Sequence, residues 1–204
     1  GGTGALVQGM AQLFTDLGGE LLLNAEVSQL DTTGNRISGI QLKDGRRFPA
    51  VAVASNADVV HTSDRLLRGH PAASKRAAAL KRKRMSNSLF VLYFGLNHPH
   101  SQLAHHTVCF GPRYRELIDE IFNSSQLSDD FSLYLHAPCS SDPSLAPAGC
   151  GSFYVLAPVP HLGTAAINWL QEGPRLRDLI FAYLAEHYMP GLRQQLVTHR
   201  LFTP

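Results

Sequence analysis

Histidine is the residue type whose number and spacing first suggest chemistry. The chain holds ten histidines, with two close pairs at His98-x-His100 and His105-His106. Imidazole is the commonest metal ligand among side chains, but a metal needs ligands that converge. Neither pair has the i, i+4 spacing with an acidic partner that would place both on one helix face. The pairs read as loop and surface histidines, and no metal site is expected. Three cysteines, Cys109, Cys139 and Cys150, form no C-x-x-C pair. An odd number without that spacing indicates neither a disulfide framework nor a zinc ribbon, and fits a reducing compartment. Gly2-Thr3-Gly4 approaches a dinucleotide fingerprint, but Val7 stands where the last glycine belongs and no strand precedes it. Walker A, H-E-x-x-H and G-x-S-x-G motifs are absent from the sequence.

Charge is the other chemical signal. Residues 65–115 carry ten Lys and Arg and no Asp or Glu, more than half of the chain's 18 basic residues. Such a stretch is a solvated helix end or a surface for anionic headgroups, each cation near a lipid surface being worth about 1 kcal/mol. Nucleic acid is not expected as a partner. The net charge is only +2, and no aromatic platform is interleaved with the cations. Within the stretch, Arg113 follows Gly111-Pro112 in the first turn of an expected helix. A cation there opposes the helix dipole, so it is either a snorkelling surface residue or one kept opposite an anion.

The elements that position these residues follow from periodicity. Leu6, Met10, Leu13, Phe14 and Leu17 fall on one face of a helix over 3–17, stopped by Gly18-Gly19. Glu20–Asn24, Val27–Leu30 and Ile37–Leu42 read as strands, with a hairpin signal at Asp44-Gly45. Phe48 to Ala54 is apolar enough for a strand buried on both faces. Residues 57–84 read as helices broken at Gly69 and Pro71. Leu89–Asn97, His106–Phe110, Phe131–Ala137 and Phe153–Val159 read as strands. A helix with an apolar stripe of Leu117, Ile118, Ile121 and Phe122 starts at Gly111-Pro112. Residues 165–188 form a helix with a break at Gly173-Pro174, and Leu192–Phe202 is extended or mixed. Of 204 residues, 44% are hydrophobic and 17% charged, ordinary for a globular core. The longest apolar run, Leu89–Phe94, is far too short for a bilayer. The chain opens on Gly-Gly and stops just after an apolar run, and reads as a piece of something longer.

Six segments carry a resemblance: GGTGALVQGM (1–10), VASNADVVHT (53–62), RMSNSLFVLYFGLNH (84–98), LAHHTVCFGPRYRELIDEIF (103–122), DFSLYLHAPC (130–139) and YVLAPVPHLGTA (154–165). Together they resemble the bacterial phytoene desaturases, carotenoid desaturases of the FAD-dependent amine-oxidase-like superfamily, along the whole chain. The chain looks like the middle of such an enzyme, without the Gly-rich FAD segments at either end. The implied fold is mixed α/β, a fragment of a Rossmann-type FAD-binding domain plus a substrate domain on a mixed sheet with helices. Residues 1–57 would be the middle part of the FAD domain, 58–84 a helical connection and 85–204 an incomplete substrate domain.

The resemblance further implies FAD as cofactor, 15-cis-phytoene as substrate and desaturation toward lycopene. In relatives a Val in a short strand holds the adenine through its backbone, which Val27 in NAEVSQL matches. Asn56 and Ala57 match the segment that returns to the dinucleotide. Arg113 matches an arginine toward the flavin end of the substrate cavity, with an implied catalytic, electrostatic role. The implied location is cytoplasmic, peripherally attached to the inner membrane. Two alternatives stand beside this: another carotenoid desaturase, oxygenase or isomerase, and a non-enzymatic carotenoid- or lipid-binding module.

Overall fold

The computed structural model describes residues 2–204. They divide into two units, one reaching to Arg84 and the other Met85–Pro204. The fold is mixed α/β, with a three-stranded sheet in the first unit and a five-stranded sheet in the second.

In the first unit, helix α1 (Gly2–Asp16) ends as its glycines dictate. Gly18 adopts φ +86°, Gly19 N–H donates to the Phe14 carbonyl at 2.9 Å, and Gly18 N–H to that of Thr15 at 2.9 Å. This crossed pair satisfies carbonyls that the helix end would leave open. The apolar stripe of α1 stays uncovered within the unit, with Leu6 63% and Met10 63% exposed. Strands β1 (Val27–Thr33), β2 (Arg36–Leu42) and β3 (Arg47–Pro49) form an antiparallel meander. The β2–β3 turn places Gly45 at φ +91°, while Asp44 accepts hydrogen bonds from the Arg46 N–H and guanidinium. Helix α2 (Val59–His61), capped by Asp58, runs into a π-turn over Thr62–Leu66. Gly69 then breaks the chain, and Pro71 starts α3 (Pro71–Lys81).

One expected strand of this unit is not formed and another is cut short. Glu20–Asn24 is irregular with Leu21, Leu22 and Leu23 at least half exposed, and the strand expected over Phe48–Ala54 stops at Pro49, leaving Val51 97% exposed. An apolar run becomes a buried strand only beside partner strands, and no described strand pairs with Glu20–Asn24 or with residues 51–54.

The second unit is built on one sheet. Strands β4 (Ser88–Leu96), β5 (His106–Cys109), β6 (Leu133–His136), β7 (Gly151–Val159) and β8 (Leu196–Phe202) lie in the order β5-β6-β7-β4-β8, antiparallel throughout. β4 and β7 pair over nine residues, from Ser88 opposite Val159 to Leu96 opposite Gly151. Alternation decides the faces. Phe90, Leu92, Phe94 and Leu96 of β4 and Phe153, Val155, Ala157 and Val159 of β7 are buried. They belong to one core with Leu176, Ile180, Phe181 and Leu184 of α5 (Trp169–His187). The Phe94 ring stacks on Phe153 and meets Phe181 edge-on at 5.4 Å.

Helix α4 (Tyr114–Asn123) buries Leu117 and Ile121, and the single turn α6 (Leu192–Gln195) leads into β8. Two helix boundaries differ from expectation. α4 starts at Tyr114 because Gly111 is held beside the entry to β6. Its N–H donates to Ser132 Oγ at 3.0 Å, and a Cβ there would lie 2.7 Å from the Phe131 carbonyl oxygen. α5 runs unbroken through Gly173-Pro174. Pro174 lies in the second turn, and the carbonyl it leaves unserved belongs to Leu170, whose residue is 90% exposed and open to water. Gly173 lets this end of α5 approach β8, a Cβ there falling 3.3 Å from Thr203 Cγ2.

Candidate functional site

The open face of the five-stranded sheet is the most distinctive surface of the second unit. Positions between the core residues carry Tyr93 and Val91 on β4, Tyr154 and Leu156 on β7, and Tyr134 and His136 on β6. His106 on β5 and Phe202 on β8 complete the row. Their rings touch in sequence. His136 lies 4.6 Å from Tyr154, Tyr154 5.4 Å from Tyr93, and Tyr93 5.8 Å from Phe202, with the Arg200 guanidinium 4.8 Å over the Phe202 ring. Five strands at about 4.8 Å spacing make this aromatic row about 19 Å long. Tyr93 is 47% exposed and Phe202 44%, so the row is open rather than core. An apolar cleft of 380 Å³ adjoins it, lined by Tyr93, Leu96, Leu145, Pro147, Phe153 and Arg200 among others. Among the described residues no pair of carboxylates flanks the row, and the face offers shape and apolar contact at Val91, Tyr93, Tyr154 and Leu156, with imidazoles gathered at its β5–β6 end. Burial and the neighbouring Tyr134 push the Tyr154 hydroxyl above its ordinary pKa, keeping it neutral. Strand alternation was the signal for this face, with tyrosines at positions that are not core.

Arg113 sits at the N-cap of α4, one residue before the first turn. Its guanidinium donates to Glu120 Oε1 at 2.9 Å and to Asp130 Oδ1 at 2.6 Å. The carboxylates of Glu120 and then Asp130 raise its pKa, and Arg113 in turn holds the Glu120 carboxyl below its usual range. The unfavourable position at the helix start is thus offset by two local anions. Half of Arg113 remains exposed.

The three other candidate residues lie in the first unit. Val27 opens β1, the outer strand of its sheet, so part of its backbone edge faces away from β2. Asn56 and Ala57 lie exposed just ahead of α2. Ala57 lines a 430 Å³ cleft with Ser55, Thr62, His70 and Arg76, and Val27 is not in that lining. No Gly-rich turn is present to cradle a pyrophosphate.

The histidines behave differently from their sequence spacing. His100 is buried, at φ +46°, and hydrogen-bonds to Gln195 at 2.6 Å. Burial lowers its pKa, and its role is in packing. His105 and His106 are joined by His136, which the β5–β6 register places opposite His106. This convergence of three imidazoles was not expected from the two pairs alone.

Comparison with known proteins places the chain. The family model for flavin containing amine oxidoreductases matches residues 1–158. Over 204 residues the chain is 74% identical to the phytoene desaturase (lycopene-forming) of Pantoea ananas and 72% identical to that of Pseudescherichia vulneris. All of this chain is covered in both, and it spans 42% of each relative's length. Among solved structures, an oxidoreductase from Methanosarcina mazei superposes with a TM-score of 0.63 at 18% identity, over 95% of this chain and 40% of that one. That likeness speaks to fold alone. On the family match, the chain belongs to the flavin containing amine oxidoreductases.

Proposed function

We propose that this chain is the central part of an FAD-dependent carotenoid desaturase that converts 15-cis-phytoene toward lycopene. In this reading residues 1–57 are the middle part of the FAD domain, 58–84 a helical connection, and 85–204 an incomplete substrate domain. The carrying observation is the open face of the sheet, aromatic and apolar at Val91, Tyr93, Tyr154 and Leu156, in a chain whose near relatives are named phytoene desaturases. A forty-carbon hydrocarbon offers no carboxylate or hydroxyl to clamp. Tyr93, Tyr154, Val91 and Leu156 would hold it by contact and exclude water, and the shape of the surface would set which bond is presented. The Val27 backbone, Asn56 and Ala57 would line the nucleotide end of the FAD. The flavin, when bound, supplies the redox chemistry that no side chain here can. Arg113 would add a fixed positive charge near the reacting end, its fork held in place by Glu120 and Asp130.

The test is flavin reduction in the longer protein. Mixed anaerobically with phytoene in liposomes, it loses its yellow colour. A flavin that stays oxidised with phytoene and is reduced by an amine overturns the reading.

The proposal includes a peripheral contact with the cytoplasmic side of the cell membrane, where the substrate resides. Among the described residues no helix is long and apolar enough to cross a membrane. The cations Arg68, Lys75, Arg76, Arg82 and Lys83 are exposed on and around α3, while Lys81 pairs with Asp64 at 2.9 Å. Flotation with anionic vesicles is expected to weaken as salt rises, because the Debye length is about 8 Å at physiological strength and shrinks from there. Binding that ignores salt would replace this contact with apolar insertion.

A further inference from the structure

The histidines on the β5–β6 edge carry an inference that the desaturase reading does not use. His106 stands opposite His136 in the antiparallel register, and His105 precedes it at the strand entrance, its carbonyl accepting from Ala137 N–H at 2.9 Å. One ring nitrogen from each of the three lies within 4.8 Å of the others. His105 Nε2 and His136 Nε2 face each other at 2.8 Å. The outer nitrogens of His105 and His106 have partners, while His136 Nδ1 is buried without one. His105 Nδ1 is 2.6 Å from Ser141 Oγ, and His106 Nδ1 is 2.5 Å from the Tyr134 hydroxyl.

At His105 and His106 this is the arrangement that imidazole ligation uses. A metal-binding histidine coordinates through one nitrogen and donates the other N–H to an oxygen, which fixes tautomer and ring orientation. Ser141 and Tyr134 are such oxygens. Donating Nδ1–H to them leaves the Nε2 lone pairs of His105 and His106 for the site. Without a metal, the His105 and His136 nitrogens must share one proton between them. At metal–nitrogen distances of about 2.0–2.1 Å, two tetrahedral ligand nitrogens stand about 3.3–3.4 Å apart, so the 2.8 Å pair needs to open by only about half an ångström. His106 is exposed, so its ring can turn toward the pair.

We propose that His105, His106 and His136 form a binding site for a zinc-class divalent cation, with three imidazole nitrogens as ligands and a fourth, solvent-facing position for water. Three neutral imidazoles favour zinc and its borderline neighbours over magnesium or calcium, which take oxygen ligands. The site lies at the β5 end of the aromatic row, where the His136 ring lies 4.6 Å from that of Tyr154.

The test is calorimetric titration of the untagged chain with Zn²⁺, repeated with Co²⁺ so that its absorption reports the ligand type. One cation per chain is expected, with the visible bands of a four-coordinate nitrogen site. His106→Gln removes an exposed ligand without touching the core and should weaken binding at least about 10-fold. Tyr134→Phe, which removes only the supporting oxygen, should weaken it about 10-fold, while His187→Gln should not change it. Absence of binding overturns the proposal. So does binding that survives His106→Gln unchanged, or a thiolate-to-cobalt band that puts the ion on the cysteines.

Discussion

Phe90→Ala is expected to destabilise the second unit by about 3–5 kcal/mol, the range for deleting a fully buried Phe from a core that cannot collapse around the void. Phe90 is 0% exposed on β4, where it pairs with β7, and the β8 ladder begins at the next residue, Val91. Opposite it on β7 is Ala157, too small to fill the space, and its nearest ring partner is Trp169 at 6.3 Å. Phe90→Leu keeps most of the volume and should cost less than half as much. Tyr93→Ala, three residues on and facing the open side, should cost about 1 kcal/mol, since the residue is already 47% exposed. Denaturant unfolding checks this through the midpoint, with the slope unchanged. Equal losses at Phe90 and Tyr93 would mean that both faces are core and that no open substrate surface exists.

Arg113→Gln is expected to lower turnover of the longer enzyme on the order of 100-fold, the usual effect of removing one preorganised electrostatic group. The ion pairs of Arg113 make the experiment sharper than the substitution alone. Gln leaves Glu120 and Asp130 near each other without their shared cation, so some stability is lost whatever the role. Glu120→Gln loosens the same clamp but keeps the positive charge. If Arg113 acts through its charge, Glu120→Gln lowers stability while turnover stays within a few-fold, and Arg113→Lys restores turnover only in part because the planar fork is lost. If both Gln variants lose turnover in proportion to stability, Arg113 is a tie between α4 and the segment before β6. Arg115→Gln, one turn position away, serves as the control and should be silent.

What the sequence made legible was whatever its local physics decides. Gly18 and Gly45 sit in left-handed backbone that glycine favours, so the end of α1 and the β2–β3 turn were readable. β4 and β7 were readable because their β-branched and aromatic residues run long enough. Leu21–Leu23 and Val51 were misread because a buried strand depends on its neighbours, and composition alone does not supply them. Pro112 was misread as the start of α4 because the Gly111 contact with Phe131 is tertiary. The partners of Arg113 illustrate the same limit. Glu120 is two turns along its own helix and within reach of pattern reading, whereas Asp130 arrives through a loop. His136 is thirty-one residues beyond His105, and only the β5–β6 register brings it opposite His106.

The measurement that tests the functional reading most directly is product analysis of the longer flavoprotein given 15-cis-phytoene in liposomes with an electron acceptor. The account predicts coloured products that keep the forty-carbon skeleton and lose hydrogen in pairs, ending at lycopene. Recovery of unchanged phytoene from protein with its full flavin content, or products that have gained oxygen, would contradict it.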